Sequence, residues 1–144
     1  MTEPRQLRLW AQGDAHVGRD LQFGRTSLSD ALSQSEFGGD LGGPSFEWDF
    51  AVNVGDYCGY RDLPSDAEGE EIIKQFGVLK NHRREQIYSL SGNHDRNGLH
   101  QPDGAWFQKW IDPMGENTEF SDIDRAHYPF PIEGTWERYA IHAG

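Results

Sequence analysis

Three short stretches of the chain combine residue types that can bind cations or transfer protons. They are Gly13-Asp14-Ala15-His16, Gly55-Asp56-Tyr57-Cys58-Gly59 and Gly92-Asn93-His94-Asp95. Each stretch follows an apolar or alternating run typical of a β-strand, and each begins with a glycine that lets the backbone turn sharply. Their carboxylate, amide and imidazole groups are suited to binding divalent metal ions.

The elements expected around these stretches would bring them to one edge of a sheet. Strands are predicted near residues 7–12, 50–54 and 87–90, and helices over 26–35 and from residue 65 or 66 onward. Strands that alternate with helices imply right-handed crossovers and a parallel sheet, and ligands bind outside the carboxyl ends of such strands. The predicted fold class is therefore α/β, with a parallel β-α-β-α-β core and the three stretches at its carboxyl-terminal strand ends.

The second half of the chain has a less regular pattern. A short helix is predicted over residues 104–111, because its aromatic residues would share one side. Residues 112–134 contain prolines and glycines without a clear period, which predicts a long loop. Residues 136–142 are predicted to be a fourth strand of the sheet, with an unpaired edge. Basic residues between positions 80 and 84 are expected at the end of the second helix, where the helix dipole favours them.

Composition narrows the class of protein further. The 144 residues are 35% hydrophobic, enough for one domain, and carry a formal net charge of −11. This charge does not indicate nucleic-acid binding, although bound metal ions would still permit a phosphorylated substrate.

The single cysteine, Cys58, leaves no internal disulfide and is expected to be a packed residue. Without a signal peptide or a membrane-length apolar run, a cytoplasmic protein that contacts no membrane is the default expectation.

The three stretches, taken in order, resemble the motifs of the calcineurin-like metallophosphoesterase superfamily. These motifs are Asp-x-His, Gly-Asp-x-x-Gly and Gly-Asn-His-Asp. The resemblance extends from Leu7 to Asp95. It implies hydrolysis of a phosphoester, either a monoester or a diester, by a water molecule activated between two divalent metal ions. Mixed carboxylate, amide and imidazole ligands suit Mn, Fe or Zn better than Ca.

The resemblance implies a role for several residues of the three motifs. Asp14 and His16 would hold the first metal ion. Asp56 would bridge both ions through its two carboxylate oxygens, and Asn93 would bind the second ion through its side-chain oxygen. His94 would face the substrate phosphate, as a general acid or as a charge stabiliser.

Two arginines lie close to the motifs in the sequence. Arg61 follows the second motif and Arg96 follows the third. A guanidinium group can form two parallel hydrogen bonds to a phosphate, so both are candidate substrate-binding residues. The alternative for each is a structural ion pair.

The family pattern also contains later histidines, one beyond a further strand and a Gly-His-x-His near the end of the domain. The remaining histidines, which lack that context, are His82, His100, His127 and His142. The expectation is that residues 1–144 form a single, C-terminally truncated domain, the N-terminal half of a metallophosphoesterase-type α/β sandwich, whose partner is the missing half. The alternative is a catalytically incomplete remnant that binds metal weakly or serves as an interaction module.

Overall fold

The computed structural model describes residues 5–19, 22, 24, 27–40, 43–59, 63–97 and 104–143. In chain order its elements are β1 (Leu9–Gln12), α1 (Ser27–Phe37), β2 (Phe50–Asn53), α2 (Asp66–Phe76), β3 (Ile87–Ser89), α3 (Ala105–Trp110), α4 (Thr118–Ser121), β4 (Ile132–Thr135) and β5 (Arg138–Ile141). None of the helices in this part of the chain has the length and apolarity that a bilayer crossing requires.

The first three strands form one parallel sheet with β2 at its centre. The register places Leu9 opposite Phe50, and Ala51 opposite Ile87. Helices α1 and α2 lie between consecutive strands in the chain, as parallel connections require. The predicted α/β class and the parallel β-α-β-α-β order are therefore confirmed. The carboxyl ends of the three strands consequently lie at one edge of the sheet.

One face of the sheet packs against the helices. It presents Ala51 and Ile87, which are buried in one apolar cluster with residues of α1, α2 and α3. A Cβ atom on Gly69 of α2 would overlap the indole ring of Trp110 in α3. The absence of a side chain at Gly69 therefore lets α2 and α3 approach closely.

Helix α2 begins where the sequence predicts and ends earlier. Ser65 is its N-cap: the hydroxyl of Ser65 accepts a hydrogen bond from the Glu68 N–H at 3.3 Å, and the Glu68 carboxylate accepts one from the Ser65 N–H at 3.0 Å. This reciprocal pair is a capping box. The helix ends at Phe76, so the basic residues between positions 80 and 84 lie beyond it, and the prediction that they occupy its last turn is wrong.

Beyond Gly77, the C-cap of α2, a buried carboxylate keeps residues 80–82 out of helical hydrogen bonding. Glu36, in the last turn of α1, accepts hydrogen bonds from the backbone N–H groups of Lys80 at 2.9 Å, and of Asn81 and His82 at 2.8 Å each. These amides bind Glu36 instead of the carbonyl groups that a continued helix would offer. The Nδ1 atom of the His82 ring also lies 2.9 Å from Glu36. Glu36 thus fixes the path of the chain into β3.

Stability at acidic pH is expected to depend on Glu36. Burial raises its pKa, but hydrogen bonds from Lys80, His82 and Asn81 outweigh burial and hold the pKa below its ordinary value. A carboxyl group whose pKa is lower in the folded state stabilises the fold at pH values above its unfolded-state pKa of about 4.3. This stabilisation is lost as the pH falls through the folded-state pKa. We expect Glu36→Gln to lower the free energy of unfolding at about pH 7 by ~3 kcal/mol, because buried donors lose their charged acceptor.

Urea unfolding at about pH 7 and about pH 3 measures this effect. The difference between wild type and Glu36→Gln should shrink as the pH is lowered, because protonation of the wild-type carboxylate removes the charged acceptor. Glu70→Gln is the control, because Glu70 is exposed on α2 and its substitution should change stability by less than about 0.5 kcal/mol. A difference between wild type and Glu36→Gln that stays constant with pH would contradict the prediction.

The end of the chain departs from its prediction. Strands β4 and β5 pair antiparallel in a two-stranded sheet of their own, with Thr135 opposite Arg138. The two residues between them allow only a hairpin, since a parallel connection needs a dozen or more residues. A strand, β5, does lie within the predicted range 136–142, but its predicted place in the main sheet with an unpaired edge is wrong. The loop predicted over 112–134 also contains α4 and most of β4.

Candidate metal centre

The loops that follow β1 and β2 are hydrogen-bonded to each other. The Asp14 N–H donates to the Gly55 carbonyl at 2.9 Å, and the His16 N–H donates to the Asp56 carbonyl at 3.0 Å. The parallel pairing of the two strands thus continues past their ends. This continuation places His16 beside Asp56.

The backbone at these loops adopts an unusual conformation. The φ angles of Asp14, His16 and Asp56 are 56°, 48° and 56°, in the left-handed region that residues other than glycine rarely occupy. Such conformations persist only where surrounding contacts hold them, and they cluster at functional sites. Aspartate and histidine enter this region more readily than most other residues, and the hydrogen bonds between the two loops hold His16 and Asp14 in it.

Two glycines allow the second and third motifs to meet. A Cβ atom on Gly92 would overlap the carboxylate of Asp56, and a Cβ atom on Gly55 would overlap the backbone of Gly92. Gly55 also has a φ of +104°, which disfavours any other residue. The glycines at the start of these motifs therefore permit close contact as well as a sharp turn.

His16, Asp56 and His94 form a group of potential metal ligands. One ligand atom from each residue, a ring nitrogen or a carboxylate oxygen, lies within 4.8 Å of the other two. The rings of His16 and His94 meet edge to face, with their centroids 4.7 Å apart. Two imidazoles and one carboxylate fit Zn, Mn or Fe, which accept mixed nitrogen and oxygen ligands.

The other predicted site residues lie around this group. The Asp14 carboxylate is 3.5 Å from Nε2 of His16 and is largely exposed, but it does not join the group of three. Asn93 is exposed in the turn that presents His94, and Arg96 is exposed after it. Arg61 lies outside the described residues.

The position of His94 allows two roles. Its backbone N–H donates to Oδ1 of Asp56 at 3.0 Å, so the third motif contacts the second directly. Its ring belongs to the group of potential ligands, whereas the resemblance assigns the ring to the substrate phosphate. A metal ligand and a proton donor respond differently to substitution: loss of a ligand lowers the metal content, whereas loss of a proton donor lowers turnover.

Sequence reasoning assigned no role to Asp95, the last residue of the third motif. Its side chain is fully buried. Burial raises the pKa of Asp95, while hydrogen bonds from the amides of Gly92, Cys58 and Asp56 act in the opposite direction. In the sequence, only the position of Asp95 in the third motif pointed to it.

Cys58, expected to be packed, is fully buried, with its sulfur 3.0 Å from a carboxylate oxygen of Glu68.

No family model, curated protein or solved structure matches the chain.

Proposed function

We propose that the chain is a metal-dependent phosphoesterase, which hydrolyses a phosphate monoester or diester with a metal-activated water molecule. The observation that carries this proposal is the group of His16, Asp56 and His94, whose ligand atoms lie within 4.8 Å of one another. The group lies beyond the carboxyl ends of parallel strands, where α/β sheets bind their ligands. The order of the three motifs also supports a metallophosphoesterase-type α/β sandwich.

The proposal gives the residues of the chain distinct tasks. Asp14, His16 and Asp56 would hold one divalent ion, and Asp56 and Asn93 would hold a second. Ions bound there would lower the pKa of a water molecule and neutralise charge on the phosphoryl oxygens. Asp56 is fixed for this task, because one of its oxygens accepts the His94 N–H. The His94 imidazole donates a proton to the leaving oxygen.

The charge of the chain makes metal binding necessary for substrate binding. The formal net charge is −11, and the site itself contains the carboxylates of Asp14 and Asp56. A phosphate would be repelled by such a surface unless bound cations reverse the local field. Arg96, exposed after the third motif, is the described arginine that the proposal assigns to the substrate.

A second candidate function is a metal-binding or interaction module without turnover. Asp14 supports it, because its carboxylate contacts His16 at 3.5 Å and stays outside the group of three. With Asp14 in this position, the first ion would have fewer ligands from the described residues than the phosphoesterase proposal assigns. A site with few protein ligands binds its ion weakly.

Turnover of p-nitrophenyl phosphate and of its bis-ester, with and without Mn²⁺ or Zn²⁺, tests the proposal. We expect hydrolysis that requires added metal, stops with EDTA and returns when Mn²⁺ is restored. Calorimetric metal titration of the same sample separates the two candidates. Metal binding without turnover would favour the module, and the absence of both would contradict the proposed site.

A further inference from the structure

We infer that Asp95 is a positioning residue, whose carboxylate ties the loop after β2 to the loop after β3 and so sets the Asp56 carboxylate beside His16 and His94. The loop connection stands on its own geometry. Its consequence for metal binding rests on the proposed function.

The carboxylate of Asp95 binds both loops at once. Its Oδ2 atom accepts hydrogen bonds from the backbone N–H groups of Asp56 and Gly92, each at 2.9 Å. Its Oδ1 atom accepts a hydrogen bond from the Cys58 N–H at 3.0 Å. Two of these donors belong to the second motif and one to the third, so a single side chain connects the two motifs.

The connection is reciprocal. While Asp95 of the third motif accepts the Asp56 N–H, Asp56 of the second motif accepts the His94 N–H at 3.0 Å. Each loop thus offers a carboxylate to an amide of the other loop. Asp56 has a left-handed φ of 56°, a conformation that needs such contacts to persist.

Asp95 acts through its neighbours rather than on a ligand. Its side chain has no exposed surface, and three amide donors already occupy its two oxygens. A buried carboxylate is costly unless it is hydrogen-bonded, and removal of its acceptors leaves one buried donor, from Cys58, and two partly buried donors unpaired. Residues that orient metal ligands in this way change metal affinity by about 10- to 100-fold when substituted.

Asp112 provides a matched control. It is also buried, and its carboxylate accepts hydrogen bonds from the N–H groups of Glu116 and Asn117 and from the Ser121 hydroxyl, at 2.7, 3.0 and 2.9 Å. None of these donors belongs to the three motifs. Asp112→Asn therefore reports the general effect of losing a buried, three-donor carboxylate.

The experiment compares wild type, Asp95→Asn and Asp112→Asn by Mn²⁺ calorimetry and, without metal, by amide hydrogen exchange. We expect Asp95→Asn to lower the Mn²⁺ affinity by about 10- to 100-fold, and Asp112→Asn to leave it within about twofold. In metal-free protein, the amides of Asp56, Cys58 and Gly92 should be protected in wild type and exchange faster in Asp95→Asn alone.

The outcomes separate the two proposals. If wild type binds no Mn²⁺ but Asp95→Asn loses the amide protection, the metal site is wrong and the positioning role stands. If wild type does bind Mn²⁺, and Asp112→Asn lowers the affinity as much as Asp95→Asn does or neither variant changes it, the positioning role is wrong. Should Asp95→Asn fail to fold, unprotected amides at Asp56, Cys58 and Gly92 in wild type would overturn the inference by themselves.

Discussion

Replacing Asp56 with asparagine is expected to lower the affinity of the chain for Mn²⁺ or Zn²⁺ by more than about 100-fold, the upper end of what substitution of an outer-shell partner costs. Asp56 supplies the carboxylate of the ligand group, between the imidazoles of His16 and His94. In the proposed site it also touches both ions. Its loss should therefore weaken every metal-binding step, and turnover should fall with it.

Asparagine isolates the effect of the charge. Its size matches that of aspartate, its oxygen can still accept the His94 N–H, and it tolerates the left-handed conformation of Asp56. Asp122→Asn is the matched control, because Asp122 is an exposed aspartate with a φ of 58°, against 56° for Asp56. Calorimetric titration measures the affinity, and equal affinities for wild type and Asp56→Asn would rule out the assigned ligand.

The parallel core could be predicted because its signals are local. Each strand is a short apolar or alternating run that ends at a turn residue, and Ser65 and Glu68 have the spacing of a capping box. The convergence of the three motifs follows from the parallel order alone. Patterns within a few residues of the chain therefore suffice to place His16, Asp56 and His94 at one edge of the sheet.

The path of the chain between α2 and β3 and the docking of the hairpin could not be predicted in this way. The Lys80 and His82 amides bind Glu36, which lies 44 and 46 residues earlier in the chain. The hairpin docks on the sheet through the Tyr139 hydroxyl, which donates to the Ser89 carbonyl 50 residues away at 2.6 Å. Contacts of this range are set by packing and leave no local pattern.

Contacts between residues far apart in the chain also determine the geometry of the site. The hydrogen bonds of Asp95 to Asp56 and Cys58 span 39 and 37 residues. Long-range contacts also support the left-handed backbone of His16 and Asp56, since the His16 N–H donates to the Asp56 carbonyl and the Asp56 N–H donates to Asp95. Sequence patterns thus identified the candidate ligands, whereas the hydrogen bonds of the Asp95 carboxylate became visible only in three dimensions.

His94→Gln is expected to reduce turnover by about 10²- to 10⁴-fold, the usual contribution of a general acid, while the bound metal per chain falls little. Glutamine can still donate a hydrogen bond from its side chain, but it cannot transfer a proton near neutral pH as an imidazole does. Metal affinity should persist in the variant, because the proposal assigns His94 to the substrate and His16 and Asp56 to the ions.

The structure makes this a sharp test, since the His94 ring also lies among the potential ligands, with its centroid 4.7 Å from that of His16. Metal content per chain and the rate of p-nitrophenyl phosphate hydrolysis are measured on the same preparation. His127→Gln serves as the control, because His127 is exposed in the turn at Arg125–His127, outside the three motifs. If metal content and activity fall in step, His94 is a ligand, and the proton that the leaving oxygen needs must come from another group.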